Sequence, residues 1–182
     1  MSDDEVLKQT RHWLEVAVIG LNLCPFAKAV YVKNQVRLVV SKARHADDLL
    51  EELDRELDLL VASSASEIDT TLLIHPTLFE DFLDFNDFLE VAEGVVDEHG
   101  LDGVIQLASF HPLFQFEGTE PYDISNYTNR APFAILHLLR EDSVERAVEA
   151  FPQAESIFEQ NIETLHKLGI DGWTALGFQT LV

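Results

Sequence analysis

Three short apolar segments of strand character recur along the chain, and a helical pattern fills each of the two gaps between them. The segments are Gln35–Lys42, Thr70–Ile74 and Val104–Ser109, spaced by roughly 35 residues, which is typical of strand–helix–strand units. Such crossovers are nearly always right-handed and join parallel strands. The spacing therefore predicts three parallel strands joined by helical crossovers.

The rest of the chain adds helices and at least one more strand. Ser2 and Glu5 form a capping-box pattern that opens a first helix, which should end before Cys24-Pro25. Four more helices are predicted: Asp47–Val61, a helix from a Thr77/Glu80 cap to His99, a helix from Asp142 or Ser143 to Phe151-Pro152, and Gln153–Leu168. Two more strands are predicted, one at Phe133–Leu139 and an edge strand within Trp173–Val182. We expect Gly100 and Gly169 to close the helices before them.

These segments predict one α/β (or α+β) domain over residues 1–182, with a mixed four- to five-stranded sheet and helices packed on it. No helix separates the fourth strand from the third. The fourth strand can therefore run antiparallel to its neighbours.

The chain is strongly acidic, with 33 acidic and 12 basic residues and a formal net charge of −21. This charge repels nucleic-acid backbones and anionic lipid, so we expect neither nucleic acid nor a membrane as a partner. The single cysteine cannot form an internal disulfide, and the acidic N-terminus has no signal-peptide pattern. These features predict a cytoplasmic protein.

The segment Phe110–Pro132, called the long loop below, has neither a helical nor a strand period. Long aperiodic stretches inside a domain are usually functional or disordered, and its aromatic content argues for order. Arg130 is the first cation after Arg55. A lone guanidinium in an ordered polar loop requires an anion nearby, which makes Arg130 a candidate ligand-binding residue.

Two of the predicted strands end in the same dipeptide, His75-Pro76 and His111-Pro112. Proline ends each strand because it has no N–H for the ladder. If the strands run parallel, both histidines lie at the carboxyl edge of the sheet, where open α/β sheets bind ligands. We predict His111 as a general acid or base, assisted by His75. The alternative is that both histidines cap loops and are bonded to backbone carbonyls.

The run from Asp123 to Arg130 carries several amide and hydroxyl side chains. One interpretation uses them to orient a ligand beside Arg130, whose guanidinium would bind a carboxylate or phosphate. The alternative is a short capped turn in which Arg130 pairs with Asp123, Glu117 or Glu120. The predicted ligand-binding residues are Asp123, Asn126, Thr128, Asn129 and Arg130.

Cys24 follows the first helix in the turn Asn22–Lys28. A neighbouring cation could lower the pKa of a cysteine thiol and make it a nucleophile, whereas a buried cysteine is a small hydrophobe. Both interpretations stay open. The sequence identifies no metal site and no cofactor, because it contains no phosphate loop, dinucleotide fingerprint or paired-cysteine zinc motif.

Three stretches together resemble the bacterial family catalogued as domain of unknown function 1415. They are Asn22–Ala27, Phe110–Phe116 and Asn126–Phe133, the last reading Asn-Tyr-Thr-Asn-Arg-Ala-Pro-Phe. The resemblance covers nearly the whole chain. It implies a small, single-domain, cytoplasmic bacterial protein and carries no activity.

Two functions fit these patterns. The leading hypothesis is an enzyme-like pocket for a small polar or anionic molecule at the carboxyl edge of the sheet, with the long loop as its wall. The rival is a non-catalytic binding module or a homodimer, in which the long loop is a rigid plug or an assembly surface. The sequence does not decide whether the protein is an enzyme.

Overall fold

A computed structural model gives the structure of this protein and describes residues 1–151 and 153–177. In chain order its helices and strands are α1 (Asp3–Trp13), which continues as a π-helical stretch (Leu14–Ile19), α2 (Ala27–Val32), β1 (Val36–Val40), α3 (Ala46–Ala62), β2 (Thr70–His75), α4 (Phe82–Glu98), β3 (Ile105–Phe110), a 3₁₀ helix (Ile124–Thr128), β4 (Ala134–Arg140), α5 (Glu141–Ala150), a 3₁₀ turn (Ala154–Ser156) and α6 (Ile157–Ala175).

The four strands form one mixed sheet in the order β1-β2-β4-β3. β1 and β2 pair in parallel, whereas β4 pairs antiparallel with both β2 and β3. The mixed four-stranded sheet and the antiparallel fourth strand are confirmed. Among the described residues only β1 and β2 pair in parallel, because β4 lies between β2 and β3 and separates the strands that the spacing predicted as neighbours.

Each face of the sheet has its own apolar core. Leu73 and Leu136 point to one face and pack with α3 and α4, where Leu49, Leu53, Phe85 and Ala92 are fully buried. Leu72 and Ile74 point to the other face. They pack there with α1, α6 and part of the long loop, in a cluster that includes Trp13, Tyr127 and Trp173. The first face is covered by two helices from the middle of the chain, and the second by elements from distant parts of the chain.

The first helix follows the sequence at its start. Ser2 and Glu5 form the predicted capping box, in which the Ser2 hydroxyl accepts the Glu5 N–H and the Glu5 carboxylate accepts the Ser2 N–H. The predicted Thr77 cap is wrong, because α4 begins at Phe82 with Asp81 as its cap. The carboxylate of Asp81 accepts the N–H groups of Leu83 and Asp84 at 2.8 and 3.3 Å.

The two glycines behave differently. Gly100 adopts the left-handed conformation directly after α4, as predicted. Gly169 also has a positive φ, of 66°, but the chain resumes a helix after it, so α6 is kinked there and ends at Ala175. Residues 173–175 of the predicted edge strand are therefore helical, and residues 178–182 lie outside the described residues. Within the described ranges, no helix has the length and apolar character to cross a bilayer.

Candidate functional site

A groove of about 830 Å³ lies at the edge of the sheet where β3 ends and β4 begins. One wall is α1, another is the end of the long loop, and the third is the end of α6. The groove is lined by residues that include Lys8, His12, Tyr127, Arg130, Phe133 and Trp173. This edge is also the carboxyl edge of β2, since β2 pairs antiparallel with β4. It is the edge at which α/β sheets bind ligands.

One face of α1 supplies the polar wall of the groove. Glu5, Lys8 and His12 follow helical spacing, and each lines the groove. The Glu5 carboxylate already accepts the N–H and the hydroxyl of Ser2. The Nε2 atom of His12 lies 2.8 Å from the carbonyl oxygen of Leu176, which ties α1 to the end of α6.

Arg130 is buried, with 6% of its surface exposed. Its guanidinium donates to the carbonyl oxygens of Phe114 and Pro121 at 3.2 and 2.5 Å, and lies 4.3 Å from the Tyr127 ring centroid. Burial lowers the pKa of Arg130, and the neighbouring Tyr127 phenol opposes that shift. In residues 1–151 and 153–177, no carboxylate oxygen lies within 4.0 Å of this guanidinium. The predicted pairing with Asp123, Glu117 or Glu120 does not occur.

Asn126 is fully buried and organises the long loop from within. Its side-chain oxygen accepts from the Phe116 N–H at 2.9 Å and from the Thr119 hydroxyl at 2.8 Å. Its amide donates to the carbonyl oxygen of Glu120 at 2.9 Å. Three of its hydrogen-bonding positions are thus used by the loop itself, and Asn126 does not line the groove.

The other predicted ligand-binding residues, Asp123, Thr128 and Asn129, do not line the groove either. Asp123 caps the 3₁₀ helix by accepting the Ser125 N–H at 2.9 Å, and this bond lowers the pKa of Asp123. Asn129 donates to the carbonyl oxygen of Ser109 at 3.3 Å. The hydroxyl oxygen of Thr128 is buried and has no hydrogen-bond partner among the described residues.

His111 has 1% of its surface exposed, and backbone groups engage both of its ring nitrogens. Nδ1 accepts the Leu113 N–H at 3.0 Å, and Nε2 lies 2.8 Å from the Phe79 carbonyl oxygen. A nitrogen that accepts an N–H carries no proton, so the ring proton is on Nε2 and is donated to Phe79. The ring stacks on Phe85 with centroids 5.3 Å apart. Burial lowers the pKa of His111, which stays neutral.

His75 has the same local arrangement at the end of β2. Its Nδ1 accepts the Leu78 N–H at 2.9 Å, and burial lowers its pKa. Its Nε2 atom is buried and has no hydrogen-bond partner among the described residues. Like His111, His75 does not line the groove.

Cys24 lies in the turn before α2 and packs against the core that holds Trp13. Burial raises the pKa of its thiol, and the N–H groups of Phe26 and Ala27 only partly oppose this effect. The thiol is therefore protonated at neutral pH, which favours the buried-hydrophobe interpretation over an activated nucleophile.

The groove thus brings Arg130 to its surface together with a different imidazole from the one predicted. Lys8 and His12 were missed by sequence reasoning, which singled out His75 and His111 instead. Their spacing on one face of α1 was the available signal. It could not be used, because no sequence pattern shows that α1 lies beside the end of the long loop.

The described residues contain no group of three or more histidine, cysteine, aspartate or glutamate side chains that could hold a metal ion. A sequence model for the family described as "Protein of unknown function (DUF1415)" matches residues 5–175 of this chain. Comparison with curated proteins and with solved structures gave no match.

Proposed function

Because the chain belongs to the family of proteins of unknown function DUF1415, we propose its function from its own geometry: it binds a small anionic molecule in the groove beside Arg130. One observation carries the proposal. Arg130 is buried at the wall of this groove, and no carboxylate of the described chain neutralises it. Buried cations are normally paired, so a ligand anion would supply the missing charge.

The surroundings of Arg130 indicate what kind of anion fits. Lys8 stands on the opposing wall and adds a positive charge there, in a chain whose net charge is −21, while the Glu5 carboxylate on the same wall already accepts from Ser2. Trp13, Tyr127 and Phe133 form an aromatic floor. We therefore infer a ligand with an anionic head and an apolar, ring-sized body, because pockets of this kind combine apolar walls with a few polar groups.

Acid–base catalysis by His111 stays a prediction. It requires a ring nitrogen to exchange its backbone partner, Leu113 or Phe79, for a reacting proton. The role that the observed bonds support is positioning: His111 fixes the turn that carries Pro112, which lines the groove. We therefore propose ligand binding in the groove, and catalysis by His111 stays a separate prediction.

Thermal unfolding with a small panel of probes tests the proposal. Benzoate and phenyl phosphate combine an anion with a ring, whereas acetate has no ring and benzyl alcohol has no charge. A ligand at 100 times its Kd adds about 2.7 kcal/mol to the free energy of unfolding. For a chain of this size that shift raises Tm by roughly 5–10 °C. We expect the ring-bearing anions to raise Tm most.

Two substitutions locate the site. Arg130→Lys keeps the charge but removes the planar fork, and Lys8→Gln removes one charge from the opposite wall; both should reduce the Tm shift. Lys33→Gln makes the same charge change at an exposed position outside the groove and serves as the control. A shift that all three variants retain equally would refute the assignment of the groove.

One observation favours the second function, a non-catalytic assembly module. Phe158 is 52% exposed and packs edge-on against Phe116 of the long loop, with centroids 6.0 Å apart. Tyr122, also in the loop, is 75% exposed. Exposed aromatic residues beside an internally bonded loop suit a surface for a second copy of the chain. The solution mass of the protein distinguishes a homodimer from a monomer.

A further inference from the structure

A second polar cluster lies on the other face of the sheet, between α3 and the end of β2, and is independent of the groove. His75 is 3% exposed, and its Nδ1 accepts the Leu78 N–H. The ring proton is therefore on Nε2. This buried N–H donor has no hydrogen-bond partner among the described residues.

Glu52 of α3 presents the complementary atom. Its Oε1 accepts the Lys42 N–H at 3.0 Å, but its Oε2 is buried and has no hydrogen-bond partner among the described residues. The Lys42 N–H follows directly after Ser41, whose own N–H bonds the Ile74 carbonyl at 2.8 Å, so the Glu52 carboxylate lies beside the end of β2. Burial lowers the pKa of His75, and the Glu52 charge opposes this shift. The two side chains are not directly bonded, because bonded atoms would lie within 3.5 Å.

The next turn of α3 carries a carboxylate whose two oxygens are both hydrogen-bonded to a side chain of the sheet. Glu56 lies one helical turn after Glu52 and also faces the sheet. Its two carboxylate oxygens accept from Arg37 Nε and Nη2 at 2.7 and 3.0 Å. Both oxygens of Glu56 are therefore bonded to Arg37, whereas one oxygen of Glu52 lies near His75 Nε2, a donor that also lacks a partner among the described residues.

We propose that a single water molecule is bound between Glu52 and His75, accepting from Nε2–H and donating to Oε2. Buried waters occur where polar groups would otherwise be unsatisfied, and they make two to four hydrogen bonds. Ser41, which is 4% exposed, lies beside His75 in the parallel ladder, because its N–H bonds the Ile74 carbonyl at 2.8 Å. Its hydroxyl, which accepts the Ala43 N–H at 3.1 Å, offers a third group.

Water fits this position better than a metal ion. His75 presents an N–H rather than a lone pair, since its Nδ1 is occupied by Leu78, and the described residues offer no set of three ligands. The bound water would join α3, the β1–α3 connection and the end of β2. It would thereby help to set the position of the strand end that precedes Pro76.

A high-resolution crystal structure of the whole chain tests the proposal. We expect a water peak about 2.6–3.2 Å from both His75 Nε2 and Glu52 Oε2. A map in which both side chains are ordered and either bond each other or show no peak between them would overturn it.

Three substitutions provide a second measurement in solution. Glu52→Gln keeps a polar group for the water, whereas Glu52→Met removes the acceptor at similar size. We expect Glu52→Met to lower the folding equilibrium constant about tenfold relative to Glu52→Gln, because the bound water and the Lys42 N–H both lose their acceptor. Glu56→Met is the control, and its crystal structure should retain the water peak. Equal folding constants for the two Glu52 variants would contradict the proposal.

Discussion

The ends of β2 and β3 carry the same His-Pro dipeptide, but the two histidines differ in the hydrogen bonding of their second ring nitrogen. At both ends the histidine is buried and its Nδ1 accepts a backbone N–H, from Leu78 after His75 and from Leu113 after His111. The Nε2 atom of His111 also reaches the carbonyl oxygen of Phe79, whereas that of His75 finds no partner among the described residues. The local bond follows from local sequence, and the second bond depends on which segment passes nearby.

The difference also shows how the two ends support each other. Phe79 has a φ of 60°, a left-handed conformation that bulky residues rarely adopt. Its carbonyl is held by His111, and its ring packs against Phe85 and Phe88 with centroids 5.6 and 4.7 Å away. The histidine at the end of β3 therefore stabilises the turn that follows β2.

The largest effect is expected at the end of β3. His111→Phe keeps a ring beside Phe85 but leaves the Leu113 N–H and the Phe79 carbonyl without partners. Because each buried group without a partner costs about 1–3 kcal/mol, we expect a loss of about 3 kcal/mol in the free energy of unfolding. Urea unfolding measures it, with His166→Phe at an exposed position as the control. A loss smaller than that of His75→Phe would contradict the expectation that the histidine at the end of β3 contributes more to stability.

The next effect is a dependence of stability on pH, to which the buried histidines contribute together. Burial lowers the pKa of His75 and His111, and lowers the pKa of His137 to about 4. The unfolded chain, with a histidine pKa of about 6.5, then binds more protons than the folded chain in the window between the folded and unfolded values. Their contribution is complete above about pH 6.5 and is lost as the pH falls towards 4.

The slope of this loss is on the order of 1.4 kcal/mol per pH unit for each histidine that remains neutral in the fold. Urea unfolding at a series of pH values measures it. His137→Leu should flatten the profile, because it removes one of the titrating groups. The hydroxyl of Thr70, which also contacts His137, retains its bond to the Leu138 carbonyl at 2.6 Å. A profile that this variant leaves unchanged would show that folding does not lower the pKa of His137.

The smallest effect is expected at the end of β2. His75→Phe removes one backbone contact, to the Leu78 N–H, together with a donor that has no direct protein partner. We expect a loss of about 1 kcal/mol, well below that of His111→Phe. The same urea titration compares the two, and a loss equal to that of His111→Phe would mean that His75 Nε2 is as strongly bonded as its counterpart.

The strands could be predicted because their signal is local. Apolar runs bounded by proline, glycine and polar residues gave Thr70–Ile74 and Val104–Ser109 within about two residues of β2 and β3. The order of the strands depends on pairing between distant segments. β4 lies between β2 and β3 and pairs with both strands in antiparallel ladders. The residue pattern of β4 does not indicate which strands will be its neighbours.

The candidate site was predictable in part. The long loop and Arg130 stood out because polar and aromatic residues without period must be satisfied somewhere. The partners of Arg130 were not predictable, because its acceptors are carbonyl oxygens of Phe114 and Pro121, which every residue carries equally. Backbone acceptors leave no mark in a sequence, whereas a pairing with Asp123 would have been visible as a charge pattern.

The sequence by itself determined the four strands of the sheet, the long helices between them, the strand ends marked by His-Pro, and the family to which the chain belongs. These features rest on side-chain period, caps and proline, which act over a few residues. Only the tertiary structure decided that α1, the long loop and α6 meet around one groove, and that His12 rather than His111 lines it. That arrangement arises from burial of Trp13, Tyr127 and Trp173 in one core, and hydrophobic burial has no direction along the chain.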